Sequence, residues 1–226
     1  MTYLTQLLVD FAEAARLGLH DNYDWHQMAW RCFEGLIPRD PDKGRFEKGT
    51  KPEEPPPRPA DFLMRVDRRE SGFKVLLVSQ KKPVRPGWCP PGCWETKEVP
   101  KEYFSRQQYM FQLCANPTKK VAVQNQDKNF KKNGRREPLR TREDLVSWIS
   151  RKGEQGGFEV DRGTLRVVPR GREYFERKGQ RGLHTAVEYQ GVLSVKDSDR
   201  FYEAFTRGVG SAKGFGFGLL MVVPVA

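Results

Sequence analysis

Strand and helix patterns alternate twice along this chain in the same order, and that repeat restricts the fold more than any other feature. In the first half Thr2–Phe11 alternates as a strand and Asn22–Leu36 has helical spacing, while Phe62–Arg68 and Phe73–Gln80 form a hairpin pattern around Ser71-Gly72. Tyr109–Ala115 supplies another strand, and Pro100–Gln108 is the only room for a second helix. A Pro- and charge-rich insertion, Pro38–Pro59, breaks regular structure. The second half offers a strand at Val121–Gln124 and a helix at Arg142–Lys152, opened by Thr141 with Asp144 three residues on. Strands near Thr164–Val168 and Thr185–Val195 follow, then a helix from an N-cap aspartate at Asp197 to Arg207 and a last strand, Leu219–Val225. Two βαββαβ halves are the simplest account. The expected class is α+β, two tandem ferredoxin-like domains spanning residues 1–117 and 118–226.

The link into the last strand, Gly208 to Gly218, is rich in glycine and holds one lysine, Lys213. Glycine lets backbone N–H groups come close to a ligand, and a lysine among them suits phosphate oxygens, so the loop reads as a phosphate cradle. It matches neither the Walker pattern, since Lys213 precedes its glycine, nor the dinucleotide spacing. A tight packing turn is the alternative.

The net charge is +11, and two stretches account for all of it. Lys119–Arg142 holds nine basic and two acidic residues, and Arg162–Arg181 holds seven and two. A surplus focused in this way attracts a polyanion, of which a nucleic-acid backbone is the commonest. In the first stretch Lys131, Lys132, Arg135 and Arg136 flank an Asn133-Gly134 turn and suggest a basic hairpin. No apolar run approaches the length of a membrane span and no secretory leader is evident, so no membrane partner and a cytoplasmic location are expected. The four cysteines are expected as free thiols. Cys89 and Cys93 would need Cys32 and Cys114 to complete a zinc site, and the Trp88–Trp94 segment is read as a Pro/Gly loop instead.

Three histidines are present, His20, His26 and His184. At 100° per residue the first helix sets Tyr23, His26, Gln27, Trp30 and Glu34 on one arc and Trp25, Met28, Ala29, Cys32 and Leu36 on the other. The apolar arc faces the core, so Tyr23 and His26, one turn apart, can point together at a ligand. Imidazole gives or takes a proton near neutrality, which makes His26 the candidate for acid–base chemistry. His184 is expected to be structural. His20, Asp21, Asp24 and His26 could be drawn as a metal box, a weaker reading than metal-free chemistry, and neither metal nor cofactor is expected.

The run Tyr23-x-x-His26-Gln27-x-x-Trp30-x-x-Phe33, the segment Leu113-x-Ala115-Asn116-Pro117-x-Lys119 and the glycine loop with Lys213 resemble, in order, the CasE endoribonuclease family of type I-E CRISPR Cascade complexes. The resemblance covers most of the chain and implies tandem ferredoxin-like domains of the repeat-associated mysterious protein class. It implies metal-independent cleavage of precursor CRISPR RNA at the 3′ base of the repeat hairpin. The enzyme is then expected to stay on the mature crRNA among other Cascade subunits, and to be a monomer when free. It maps His26 onto the catalytic histidine and Tyr23 onto its companion tyrosine. The RNA 2′-hydroxyl would attack in line, leaving a 2′,3′-cyclic phosphate and a 5′-hydroxyl. His26 would serve as general base or general acid, Tyr23 would hydrogen-bond the reacting group, and Arg31 is a candidate for steadying phosphorane charge. RNA contacts are expected from Lys128, Lys131, Lys132, Arg135 and Arg136, from Arg162, Arg166 and Arg170, and from Gly208, Gly210, Lys213, Gly214 and Gly216. A non-catalytic RNA-hairpin-binding subunit of the same architecture is the alternative, and a DNA scaffold a third.

Overall fold

The structure, a computed structural model, describes residues 1–33, 62–121, 135–177 and 180–225. Strand β1 (Tyr3–Asp10) leads into helices α1 (Phe11–Arg16) and α2 (Asn22–Trp30), then the hairpin β2 (Phe62–Arg69) and β3 (Gly72–Ser79), and finally β4 (Trp94–Glu98). These strands form one antiparallel sheet in the order β2-β3-β1-β4. Leu7 and Val9 of β1 and Val75 and Leu77 of β3 pack with Ala14, Trp25, Met28 and Ala29 of the helices. Leu63, Leu76 and Val78 face the other way and join the core of the second unit. Burial on both faces explains the unbroken apolar run Val75–Val78.

The second sheet repeats this order with β11 (Leu220–Pro224), β5 (Gln108–Ala115), β10 (Gln180–Val195), and β8 (Phe158–Val160) and β9 (Arg166–Arg177) sharing the last edge. In both sheets the fourth strand flanks the first, the first lies beside the third, and the second flanks the third. Helix α3 (Arg142–Gln155) starts at Thr141, whose hydroxyl accepts from Asp144 N at 3.1 Å, and it buries Leu145, Trp148 and Ile149. Helix α4 (Ser198–Arg207) is capped by Asp197 and buries Phe201 and Phe205. Phe201 is fully buried among Phe104, Tyr109 and Phe158, a site where truncation to alanine costs about 3–5 kcal/mol.

Three expectations are corrected. Tyr109–Ala115, expected to close the first half, lies in β5 and opens the second sheet, so sheet membership changes between Glu98 and Gln108 rather than after residue 117. The place it leaves is taken by β4, whose sequence WETKE is polar because it is an edge strand, paired among the described residues with β1 alone. The second crossover of the first unit is no helix, because Pro83, Pro86, Pro90 and Pro91 remove the donors a helix needs, and Lys101–Ser105 forms only a 3₁₀ turn. Third, β6 (Thr118–Val121) pairs with β7 (Arg135–Pro138) as a separate ribbon, with Lys120 opposite Arg136 and Val121 opposite Arg135. The expected turn at Asn133-Gly134, with Lys128, Lys131 and Lys132, lies outside the described residues.

Candidate functional site

Helix α2 begins with a reciprocal cap. Asp21 accepts from Tyr23 N and Asp24 N at 2.8 and 3.0 Å, and Asp24 accepts from Asp21 N and His20 N at 3.2 and 3.0 Å. The two carboxylates drawn into a metal box with His20 and His26 thus face the backbone of the helix start. Trp25, Met28 and Ala29 are buried as the spacing predicts, with Cys32 beyond the helix end. His26 therefore emerges on the opposite face.

There its ring lies 5.1 Å from Phe62, and Nδ1 accepts from the indole N–H of Trp30 at 3.3 Å. Because indole only donates, the neutral ring carries its proton on Nε2. That nitrogen faces the glycine loop: a methyl group placed on Gly214 would lie 3.6 Å from it. Tyr23 is half-buried in the first turn of the same helix, and Arg31 is exposed at the helix C-cap.

The loop comes from the second unit. Val209 N donates to Gly218 O and Gly218 N to Cys114 O, both at 2.8 Å, which closes its neck. Two of the expected phosphate-binding glycines serve packing: a Cβ on Gly208 would lie 2.7 Å from Leu63 Cδ2, and one on Gly210 would lie 3.1 Å from the Trp148 ring. Lys213 donates from Nζ to the Arg207 carbonyl at 2.5 Å, binding the loop to the C-terminal end of α4. At the tip, a 3₁₀ turn over Lys213–Phe215, Gly214 faces His26, and Gly216 has φ +80°, a conformation that favours glycine, and packs on Asn22.

Phe215 anchors this tip on the β9–β10 hairpin. Its ring lies 4.2 Å from Phe175 and 4.9 Å from His184, while Phe175 stacks on His184 at 4.7 Å. Asn116 bonds His184 Nδ1 at 2.9 Å, and burial lowers the His184 pKa, in keeping with a structural histidine. Glu173, directly across from His184, accepts from Asn22 Nδ2 at 2.5 Å, and burial raises its carboxyl pKa against the lowering effect of that bond.

The structure thus gathers His26, Gly214 and Gly216, with Tyr23 one helical turn before His26, but not all the basic residues. Arg166 pairs with Gln190 at the far end of β9 from Glu173, roughly 20 Å away at about 3.3 Å per residue. Arg162 is exposed just before that strand. Arg170 is bound to the buried carboxylate of Glu188. Arg136 is exposed on the β6–β7 ribbon that also carries Arg135. Cys32 and Cys89 are buried in the first unit, the Cys32 thiol pushed up to about 12 by burial, whereas Cys114 lies on β5, so the four thiols do not converge. Sequence reasoning missed Asn22 and Glu173 as site residues. No local signal marks either, since Asn22 reads as a helix start and Glu173 as one acid in a basic stretch.

A helix-borne histidine of one ferredoxin-like unit, presented to a glycine loop of the other, defines a tandem ferredoxin-like protein with its candidate site between the units. The sequence profile of a family described as "CRISPR associated protein" matches residues 2–224, and the chain belongs to that family. It is 28% identical to the CRISPR system Cascade subunit CasE of Escherichia coli K12, over 99% of this chain and all of that one. It is 30% identical to the CRISPR-associated endoribonuclease Cse3 of Thermus thermophilus, over 98% of this chain and all of that one. Among solved structures, CRISPR endoribonuclease Cse3 bound to 19 nt RNA superposes with a TM-score of 0.73 at 25% identity, covering 98% of this chain and all of that one. Cas6e from Escherichia coli K-12 gives 0.67 at 25%, with both chains fully covered.

Proposed function

We propose that this chain is an endoribonuclease that cleaves precursor CRISPR RNA at the 3′ base of the repeat hairpin and stays bound to the mature crRNA within Cascade. The observation that carries the reading is the approach of His26 Nε2 to Gly214 across the two units. Among the described residues, this side of the loop pairs a titratable nitrogen with backbone that lacks a side chain. The RNA 2′-hydroxyl next to the scissile phosphate attacks phosphorus in line, the bond to the 5′-oxygen breaks, and the products are a 2′,3′-cyclic phosphate and a 5′-hydroxyl. The substrate brings its own nucleophile, so the reaction runs without a metal. With Trp30 bonded to Nδ1, the proton sits on Nε2 in the neutral ring, as it does in the imidazolium. His26 acts as general acid from its imidazolium form, delivering the Nε2 proton to the leaving 5′-oxygen; Trp30, whose bond to Nδ1 only the neutral ring can accept, lets go of that nitrogen when the ring is protonated. Tyr23, on the same helical face, hydrogen-bonds the reacting group. Arg31, exposed at the helix end, reaches the phosphate only from outside. The β6–β7 ribbon, with Arg135, Arg136 and the lysines near it, grips the stem through its phosphates, and the chain acts in the cytoplasm, monomeric until it joins its partners. Each ferredoxin-like unit is a domain, and the division lies between Glu98 and Gln108.

The test is a repeat RNA with a single 2′-deoxy residue just 5′ of the scissile phosphate, incubated with the protein in a chelator beside the all-ribose RNA. The expected result is cleavage of the ribose substrate and binding without cleavage of the deoxy one, because one lost hydroxyl costs about 1 kcal/mol of binding but removes the only nucleophile. Cleavage of the deoxy RNA at the same phosphate would mean that water attacks.

A further inference from the structure

Glu173 is a half-buried carboxyl group whose partner among the described residues is a neutral amide, Asn22 Nδ2, at 2.5 Å. Among those residues no basic side chain pairs with it, although its neighbours in sequence include Arg170 and Arg172. The groups that face it are His184, directly opposite on β10, and the thiol of Cys114 on β5. Drawing a carboxylate out of water to bond an amide does not favour folding; a glutamine would make the same contact at lower cost. Folds keep such arrangements where geometry matters more than stability.

The geometry here concerns α2. Asn22 is its first residue, one turn before His26, and it lies between two elements of the second unit. Its amide nitrogen is held by Glu173 of β9, and its Oδ1 would be 3.6 Å from a Cβ on Gly216 of the loop. Gly214, two residues before Gly216, faces His26 itself. The same helical turn is thus tied to the hairpin at one end and apposed to the loop along its length.

We propose that Glu173 is a positioning residue for the cleavage step: by holding Asn22 it fixes the first turn of α2 against the second unit, and so sets the distance from His26 Nε2 to the glycine loop. This rests on the endoribonuclease reading above. Reactions that depend on placed groups lose rate steeply with small displacements, so a lost latch lowers the chemical step and leaves phosphate-driven binding nearly intact.

The experiment measures single-turnover cleavage of a repeat RNA and RNA affinity in parallel for the wild type, Asn22→Ala, Glu173→Ala, Glu173→Gln and the double variant Asn22→Ala/Glu173→Ala. Each alanine variant is expected to cut about tenfold more slowly, the range of a lost hydrogen bond to a charged group, with affinity within about twofold of wild type. The double variant should be no slower than either single, since both remove one bond. Glu173→Gln keeps an acceptor oxygen and should recover to within about threefold of wild type. Cleavage at the wild-type rate by Glu173→Ala, parallel loss of rate and affinity, multiplied losses in the double variant, or a glutamine as slow as alanine would each overturn the role of Glu173. A wild-type protein that leaves the RNA uncut instead overturns the endoribonuclease reading itself.

Discussion

Gly214→Ala adds one methyl group at the point where the two units meet. Gly214 has no left-handed backbone angle, and the new carbon would sit 3.6 Å from His26 Nε2 and 3.7 Å from Cε1, which is ordinary contact. The folded protein therefore bears no strain, and loss of glycine's freedom in the unfolded chain adds up to about 0.4–1 kcal/mol of stability. An RNA oxygen must come within about 2.7–3.2 Å of Nε2 to share its proton, and the methyl occupies the loop side of that nitrogen. Losing one hydrogen bond to a charged group costs about 1.5–3 kcal/mol, which is roughly 10- to 150-fold in rate. Gly216→Ala is the control. It forces alanine to φ +80°, at about 1–2 kcal/mol, and a domain of this size loses about 2–4 °C of Tm per kcal/mol. Single-turnover cleavage and thermal melting separate the two variants: Gly214→Ala should melt at or slightly above wild type and cut at least about tenfold more slowly. If it cuts within twofold of wild type, or melts as low as Gly216→Ala, the loop is a packing turn and the argument fails.

His26→Ala should abolish cleavage while a filter-binding assay finds hairpin affinity nearly unchanged, because one neutral side chain adds little to a grip dominated by phosphates; undiminished cutting would remove His26 from the mechanism. Replacing Lys131, Lys132, Arg135 and Arg136 by alanine should weaken binding to all stem sequences and flatten the dependence of log K on log salt by roughly 0.7–0.9 per lost contact, and an unchanged slope would mean that the ribbon does not touch RNA. Burial lowers the His184 pKa, so the unfolded chain takes up a proton, from about pH 6.5 downward, that the folded chain refuses. Stability is therefore lost as pH falls through that value, and Tm of the wild type between pH 7.5 and 5.5 should drop more than Tm of His184→Phe; parallel curves would contradict the burial argument.

Helix α2 is legible from spacing alone. Trp25, Met28 and Ala29 fall on one arc and are buried, which leaves His26 on the opposite face, and the caps at Thr141 and Asp197 sit where their side chains predict. What escapes is whatever depends on partners far away in the chain. β4 is too polar to read as a strand, and its pairing with β1 displaces Gln108–Ala115 into the other sheet. The long strand β9 hides inside a basic stretch because it is an edge strand in which Pro169, Gly171 and scattered charges break up any alternation of apolar and polar residues. Gly208 and Gly216 look alike in sequence. Only the neighbour across the fold, Leu63 for one and Asn22 for the other, tells packing from site.

His26 and Gly214 face each other, yet they come from the beginning and the end of the described chain. During synthesis the first unit can fold, bury Trp25 and cap α2 while the loop residues are still to be translated. At that stage the imidazole faces no loop, and RNA passing the ribosome meets a helix rather than a cleft. The pairing of His26 with Gly214 therefore arrives late, when α4 and the turn at Lys213–Phe215 close over β2. On the reading proposed above, a chain truncated before the loop keeps its histidine without the backbone that faces it, and should leave RNA uncut.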